Sequence, residues 1–123
     1  MNNNKLTLIY VEDDDMLREV VTDELDLFYD AHIFANPLEA KQYIADNKDL
    51  VDILLTDYVM PELNGYELIK AAKNTNPNIK TILLTGYCKD LSLVMDQSVC
   101  DLVLEKNIME SVDQLKDQIS TLF

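Results

Sequence analysis

The sequence predicts an α/β fold, a doubly wound five-stranded parallel sheet with helices on both faces. Three observations carry that expectation. Five short apolar runs alternate with five segments of helical period, a pattern satisfied by parallel strands joined through crossover helices. The runs are almost continuously apolar, as strands buried on both sides must be. The chain has 123 residues, 48% of them hydrophobic, with only two glycines and three prolines. That is enough for one core and too few breakers for a disordered or low-complexity chain. For five strands the common doubly wound order is 2-1-3-4-5, the flavodoxin-like arrangement, with ligands at the carboxyl ends beside the reversal between strands 1 and 3.

The first strand is read over Leu6–Val11, a β-branched run that stops at an acidic cluster. From Met16 to Phe28 the period changes: Leu17, Val20, Val21, Leu25 and Phe28 form a helical stripe. Ala31–Ala35 is a weaker second strand. Asn36 then caps a helix with Pro37 at its first position, running to about Asp46. The third strand is Val51–Thr56, ending at Asp57, and the loop Met60–Gly65 leads into a helix from about Tyr66 to Lys73. Ile79–Leu84 is the fourth strand, ending at Thr85-Gly86, followed by a poorly marked helix between about Lys89 and Gln97. Asp101–Leu104 is the fifth strand, ending at Glu105-Lys106. The last helix has the clearest face, with Ile108, Val112, Leu115, Ile119 and Leu122 at spacings of four, three, four and three. No linker, repeat or biased tract marks a second domain, so residues 1–123 read as one unit.

Composition narrows the partners. Ten basic against 23 acidic residues give a formal charge of −13, which argues against direct binding of nucleic acid or an anionic membrane surface. No apolar run approaches the roughly 18–20 residues of a membrane-spanning helix, and Met1-Asn2-Asn3-Asn4-Lys5 does not open a secretory signal. Cys88 and Cys100 make neither a disulfide framework nor a zinc site and read as buried thiols, so the cytoplasm is the expected compartment. His32, in the weak second strand, reads as a surface or packing histidine.

The carboxyl ends of the strands hold the chemistry. Strand 1 delivers Glu12 and Asp13, strand 3 delivers Asp57, strand 4 Thr85 and strand 5 Lys106, all at one edge. Acids stand where a nucleotide binder needs a glycine-rich turn, which excludes a dinucleotide fingerprint and a P-loop. Clustered carboxylates need a cation, a proton or solvent to be tolerated. Hard oxygen ligands completed by water and phosphate suit Mg²⁺. A carboxylate nucleophile, a hydroxyl donor and an ammonium charge fit phosphoryl chemistry.

These residues carry a family resemblance. Val11-Glu12-Asp13-Asp14, the run Leu54 to Pro61 through Asp57 and Met60, Asn64-Gly65, Leu84-Thr85-Gly86 and Lys106 resemble the receiver domain of two-component response regulators, in order and over essentially the whole chain. The resemblance implies that Asp57 accepts a phosphoryl group from a histidine of a sensor kinase or phosphotransfer domain. It implies that Glu12, Asp13 and Asp57 hold Mg²⁺ with the backbone carbonyl of Val59, that Thr85 bonds the phosphoryl group and that Lys106 pairs with it. It further implies a signalling domain that catalyses only its own phosphorylation and dephosphorylation and passes its change to an output protein or effector domain.

Two positions depart from the family pattern. Asn107 stands where a proline, often cis, follows the lysine; a cis Lys106–Asn107 bond would cost roughly 3–4 kcal/mol, so it is trans or strongly held. Val103 stands where the family places an aromatic ring, which leaves Tyr87 as the nearest aromatic to the Thr85 loop. The expected route of the signal is therefore Gly86 to Lys89 and the start of the fourth helix. Two other readings compete: a pseudo-receiver scaffold that ignores phosphate, and a haloacid-dehalogenase-like phosphatase built on Asp13-x-Asp15. The sequence leaves open whether the chain acts alone or belongs to a longer one.

Overall fold

The computed structural model describes residues 5–86 and 100–123. β1 (Thr7–Val11), β2 (Asp30–Phe34), β3 (Ile53–Asp57), β4 (Lys80–Thr85) and β5 (Leu102–Glu105) form one sheet in the order β2-β1-β3-β4-β5. All four pairings are parallel, and the registers align Val11 with Thr56 and Asp57 with Leu84. Every residue of the central β3 is buried. The expected order and class are those observed.

Alternation along the strands divides the core in two. Ile9, Val11, Leu54 and Leu83 face α2 (Pro37–Asp46) and α3 (Gly65–Thr75), meeting Ala40, Ile44 and Leu68. Leu8, Tyr10, Leu55 and Leu84 face α1 (Asp15–Phe28) and α4 (Val112–Ser120), meeting Val21, Leu25, Leu115 and Ile119. Truncating a fully buried core side chain such as Leu54 to alanine costs about 2–5 kcal/mol.

The helix starts have local causes. Asn36 caps α2 through the Leu38 N–H, with Pro37 in the first turn. Asp14 caps α1 through the N–H groups of Met16 and Leu17. Asn64 and Glu67 form a reciprocal capping box at α3, which therefore begins at Gly65 and runs on to Thr75.

The last segment corrects the single long helix. Lys106–Glu110 is a 3-10 turn, and α4 begins only after Ser111, whose hydroxyl accepts the Gln114 N–H. Serine competes for backbone donors and so stops one helix and starts the next. Met109, rather than Ile108, is the fully buried residue of the turn. The helix expected between Lys89 and Gln97 lies outside the described residues, as do Tyr87, Cys88 and all of the expected signal route beyond Gly86. Cys100 is buried, its thiol pushed up to about 11 chiefly by burial. His32 is half-buried on β2, its ring tilted against Tyr43 at 5.3 Å and 3.4 Å from Asp30, as a packing histidine should be.

Candidate functional site

The parallel sheet sends β1, β3, β4 and β5 to one edge, and the residues ending those strands meet there. Glu12 follows β1 and is fully buried, while Asp13 beside it is exposed. Asp57 closes β3 and Thr85 closes β4, each 6% exposed. Lys106 follows β5 directly, and its Nζ lies 2.9 Å from Asp57 Oδ2 and 3.1 Å from Glu12 Oε1. One ammonium therefore ties the outer residues of the pocket to the central strand. The peptide bond after it, to Asn107, is trans.

Glu12 is held from several sides. The Asp14 N–H donates to its Oε2 at 3.1 Å, Lys106 to the same oxygen at 3.3 Å, and the Tyr10 hydroxyl to Oε1 at 3.3 Å. Arg18, reaching back from α1, donates to the Glu12 backbone carbonyl at 2.8 Å and pairs with Asp15. Burial raises the Glu12 carboxyl above its ordinary value, and the nearby Asp57 charge adds to that, against the bonds from Asp14 and Lys106. Burial would lower the Lys106 ammonium, but its bonds to Asp57 and Glu12 prevail and raise it. The cationic form of Lys106 is thereby secured.

Among the described residues, Glu12, Asp13 and Asp57 each bring a carboxylate oxygen within 4.8 Å of the others. Three carboxylate oxygens gathered beside one lysine fit a hard divalent cation, which takes oxygen ligands. Val59 sits two residues beyond Asp57 in the loop to α3 and is 73% exposed. Thus Asp13 gathers with Glu12 and Asp57, Lys106 contacts the latter two, and Thr85 and Val59 lie at the same edge by their strand and loop.

The loop beyond Asp57 is tightly shaped. Glu62 has φ 73°, and the Leu63 N–H bonds the Pro61 carbonyl at 2.8 Å across it, a γ-turn of the strained hand. Gly65 returns its N–H to the Tyr58 carbonyl at 2.9 Å. A Cβ at Gly65 would stand 2.2 Å from the Asp57 carbonyl oxygen. Glycine here lets the start of α3 press against the end of β3, fixing where Asp57 points.

Sequence reasoning missed Tyr10 as a site-facing residue and Arg18 as a backbone clamp. The signal for Tyr10 is its place two residues before Glu12, on the same strand face. Arg18 sits one turn into the helix that follows the acids, close enough to fold back.

Comparison with known proteins sets this geometry in a family. The family model described as response regulator receiver domain matches residues 8–119. The chain is 32% identical over 83 residues to the response regulator receiver protein CpdR of Brucella abortus, covering 68% of each. It is 35% identical over 85 residues to the sensor kinase CckA of the same organism, 68% of this chain but 9% of that protein. It spans only 12% of the Dictyostelium discoideum cyclic-nucleotide phosphodiesterase regA and 41% of a staphylococcal VraR, so several curated relatives are far longer. The structure of the response regulator TrrA from Thermotoga maritima in complex with Mg²⁺-BeF aligns with a TM-score of 0.79 at 25% identity, over 96% of this chain and 99% of that one. The Vibrio cholerae chemotaxis regulator CheY4 shares the fold at a TM-score of 0.83 and 19% identity, over 98% and 100%. The chain belongs to the receiver-domain family of two-component response regulators.

Proposed function

We propose that this chain is an active receiver, a single domain over residues 1–123, in which Asp57 takes a phosphoryl group from a phosphohistidine of a sensor kinase or histidine phosphotransfer domain. The observation that carries the reading is the meeting of Glu12, Asp13 and Asp57 within 4.8 Å, with Lys106 at 2.9 Å from Asp57. In the transfer, an Asp57 carboxylate oxygen attacks phosphorus, the P–N bond breaks and the imidazole leaves with its electron pair. Lys106, held cationic, offsets charge on the phosphoryl oxygens. Thr85, at the end of the adjoining strand, bonds one of those oxygens through its hydroxyl. Glu12, Asp13, Asp57 and the Val59 carbonyl would hold Mg²⁺, which supplies further positive charge against the same oxygens when bound. Water later releases phosphate from Asp57, so the domain catalyses only its own labelling and unlabelling.

The reading extends to a cytoplasmic protein that signals to an output protein or effector domain. A charge of −13 disfavours direct contact with nucleic acid. Among the described residues no helix is long and apolar enough to cross a membrane. The receiver reading is favoured over the phosphatase one because Asp15 is 84% exposed, engaged by Arg18 and not among the three acids that gather around Asp57. The test is intact-mass analysis with a small acyl-phosphate donor. A single phosphoryl addition that needs Mg²⁺ is expected; a chain that stays unlabelled with Mg²⁺ present would favour the scaffold reading.

A further inference from the structure

Tyr10 presents a hydroxyl where the core does not need one. The residue is fully buried between the sheet and the layer of α1 and α4, where a phenylalanine ring would fill the same space. Burying a hydroxyl is tolerated only with a partner. That partner is Glu12 Oε1, at 3.3 Å. Two residues apart on one strand face, the ring points up from the core beneath the pocket and its oxygen touches the pocket's buried acid.

Glu12 has no exposed surface, so its direction is set by its bonds. Of its donors, Lys106 is the one shared with Asp57: 3.1 Å and 3.3 Å to the two Glu12 oxygens and 2.9 Å to Asp57 Oδ2. Charge added at Asp57 draws Lys106 that way, and Glu12 then depends on what remains. The Asp14 N–H serves Oε2, and among the described residues the Tyr10 hydroxyl is what serves Oε1 from a fixed place in the core.

We propose that Tyr10 is a positioning residue whose core-anchored hydroxyl holds Glu12 in one orientation toward the cation pocket and leaves Lys106 free to turn to a phosphoryl group on Asp57. The inference rests on reading Glu12, Asp13 and Asp57 as a Mg²⁺ pocket. Tyr10→Phe removes the hydroxyl and keeps the ring. The experiment is a Mg²⁺ titration of the unphosphorylated protein, wild type, Tyr10→Phe, Glu12→Gln and the double variant. It is read by calorimetry and by tyrosine emission, which is unmasked because the chain has six tyrosines and no tryptophan.

Tyr10→Phe should weaken Mg²⁺ binding about three- to ten-fold, the scale of one hydrogen bond. It should also remove much of the Mg²⁺-dependent change in tyrosine emission. In the Glu12→Gln background the same substitution should change the Mg²⁺ constant by less than about two-fold, because the bond that Tyr10 serves is already altered. A merely structural loss of packing would weaken binding equally in both backgrounds, and that result overturns the proposal, as does an unchanged constant in Tyr10→Phe. No Mg²⁺ binding by the wild type overturns the pocket reading itself, and the role of Tyr10 with it.

Discussion

Each end of the sheet carries a lysine bonded to an aspartate, and the two ends use the pair in opposite ways. At the amino end, Lys73 reaches Asp101 Oδ2 at 2.8 Å, and the same oxygen accepts the Thr81 N–H at 2.8 Å and the Thr81 hydroxyl at 3.2 Å. Burial alone would raise the Asp101 carboxyl, but these donors prevail and hold it below its ordinary value. At the carboxyl end one lysine faces Glu12 and Asp57, with Asp13 beside them, and burial lifts Glu12 above its ordinary value. Donors in excess of charge make a clasp that holds β4, β5 and α3 together. Charge in excess of donors makes a place that a cation and a phosphoryl group can complete.

The largest effect that separates the two ends is on labelling. Asp57→Ala should abolish phosphoryl addition from a small donor, while Asp101→Asn, at the opposite end, should leave it within about two-fold. Intact-mass time courses of both variants check this.

Next in size is the close approach that supports Asp57. Gly65→Ala forces a Cβ to 2.2 Å from the Asp57 carbonyl oxygen and 2.8 Å from Leu83 Cδ1. Because one contact is with backbone, the loop must shift, at a cost of about 2–3 kcal/mol in urea unfolding and with slower labelling. Unchanged stability would mean that the loop is looser than its contacts imply.

The clasp should show itself through pH. The folded Asp101 carboxyl titrates below its ordinary 3.8, so the unfolded chain binds the extra proton and stability rises with pH. The contribution is present above 3.8 and lost as pH falls through the folded value. Asp101→Asn should therefore cost about 1–2 kcal/mol at pH 7 and clearly less near pH 3. The same penalty at both values would contradict the charge-based account.

The smallest effect has the opposite sign. Asp13→Asn removes one of three crowded charges and should stabilise the metal-free protein by about 0.5–1 kcal/mol. With saturating Mg²⁺ the order should reverse, because wild type gains more from the ion. Denaturation curves with and without Mg²⁺ read both signs.

The sheet was legible because buried parallel strands leave uninterrupted apolar runs, and each acid or lysine of the site stands where such a run stops. The same logic concealed Tyr10, which lies inside the run Leu8 to Val11 and passes for core until its hydroxyl is followed to Glu12. The break at Ser111 was hidden by periodicity: a 3-10 turn repeats every three residues, so an apolar residue near position 108 keeps step with the face of α4 on either reading. The clasp at Asp101 was invisible for another reason. Its partners Lys73 and Thr81 come from α3 and β4, and only the packed fold brings them together.

If the excess of charge at the carboxyl end is organised around Asp57, that residue is the one phosphoacceptor. The most direct test is to label the protein with a small acyl-phosphate donor and Mg²⁺, trap the acyl phosphate by borohydride reduction and locate the modified residue by peptide mass spectrometry. Reduction at Asp57 alone is expected. A trapped product at Glu12, Asp13 or Asp101, with Asp57 unmodified, would contradict it.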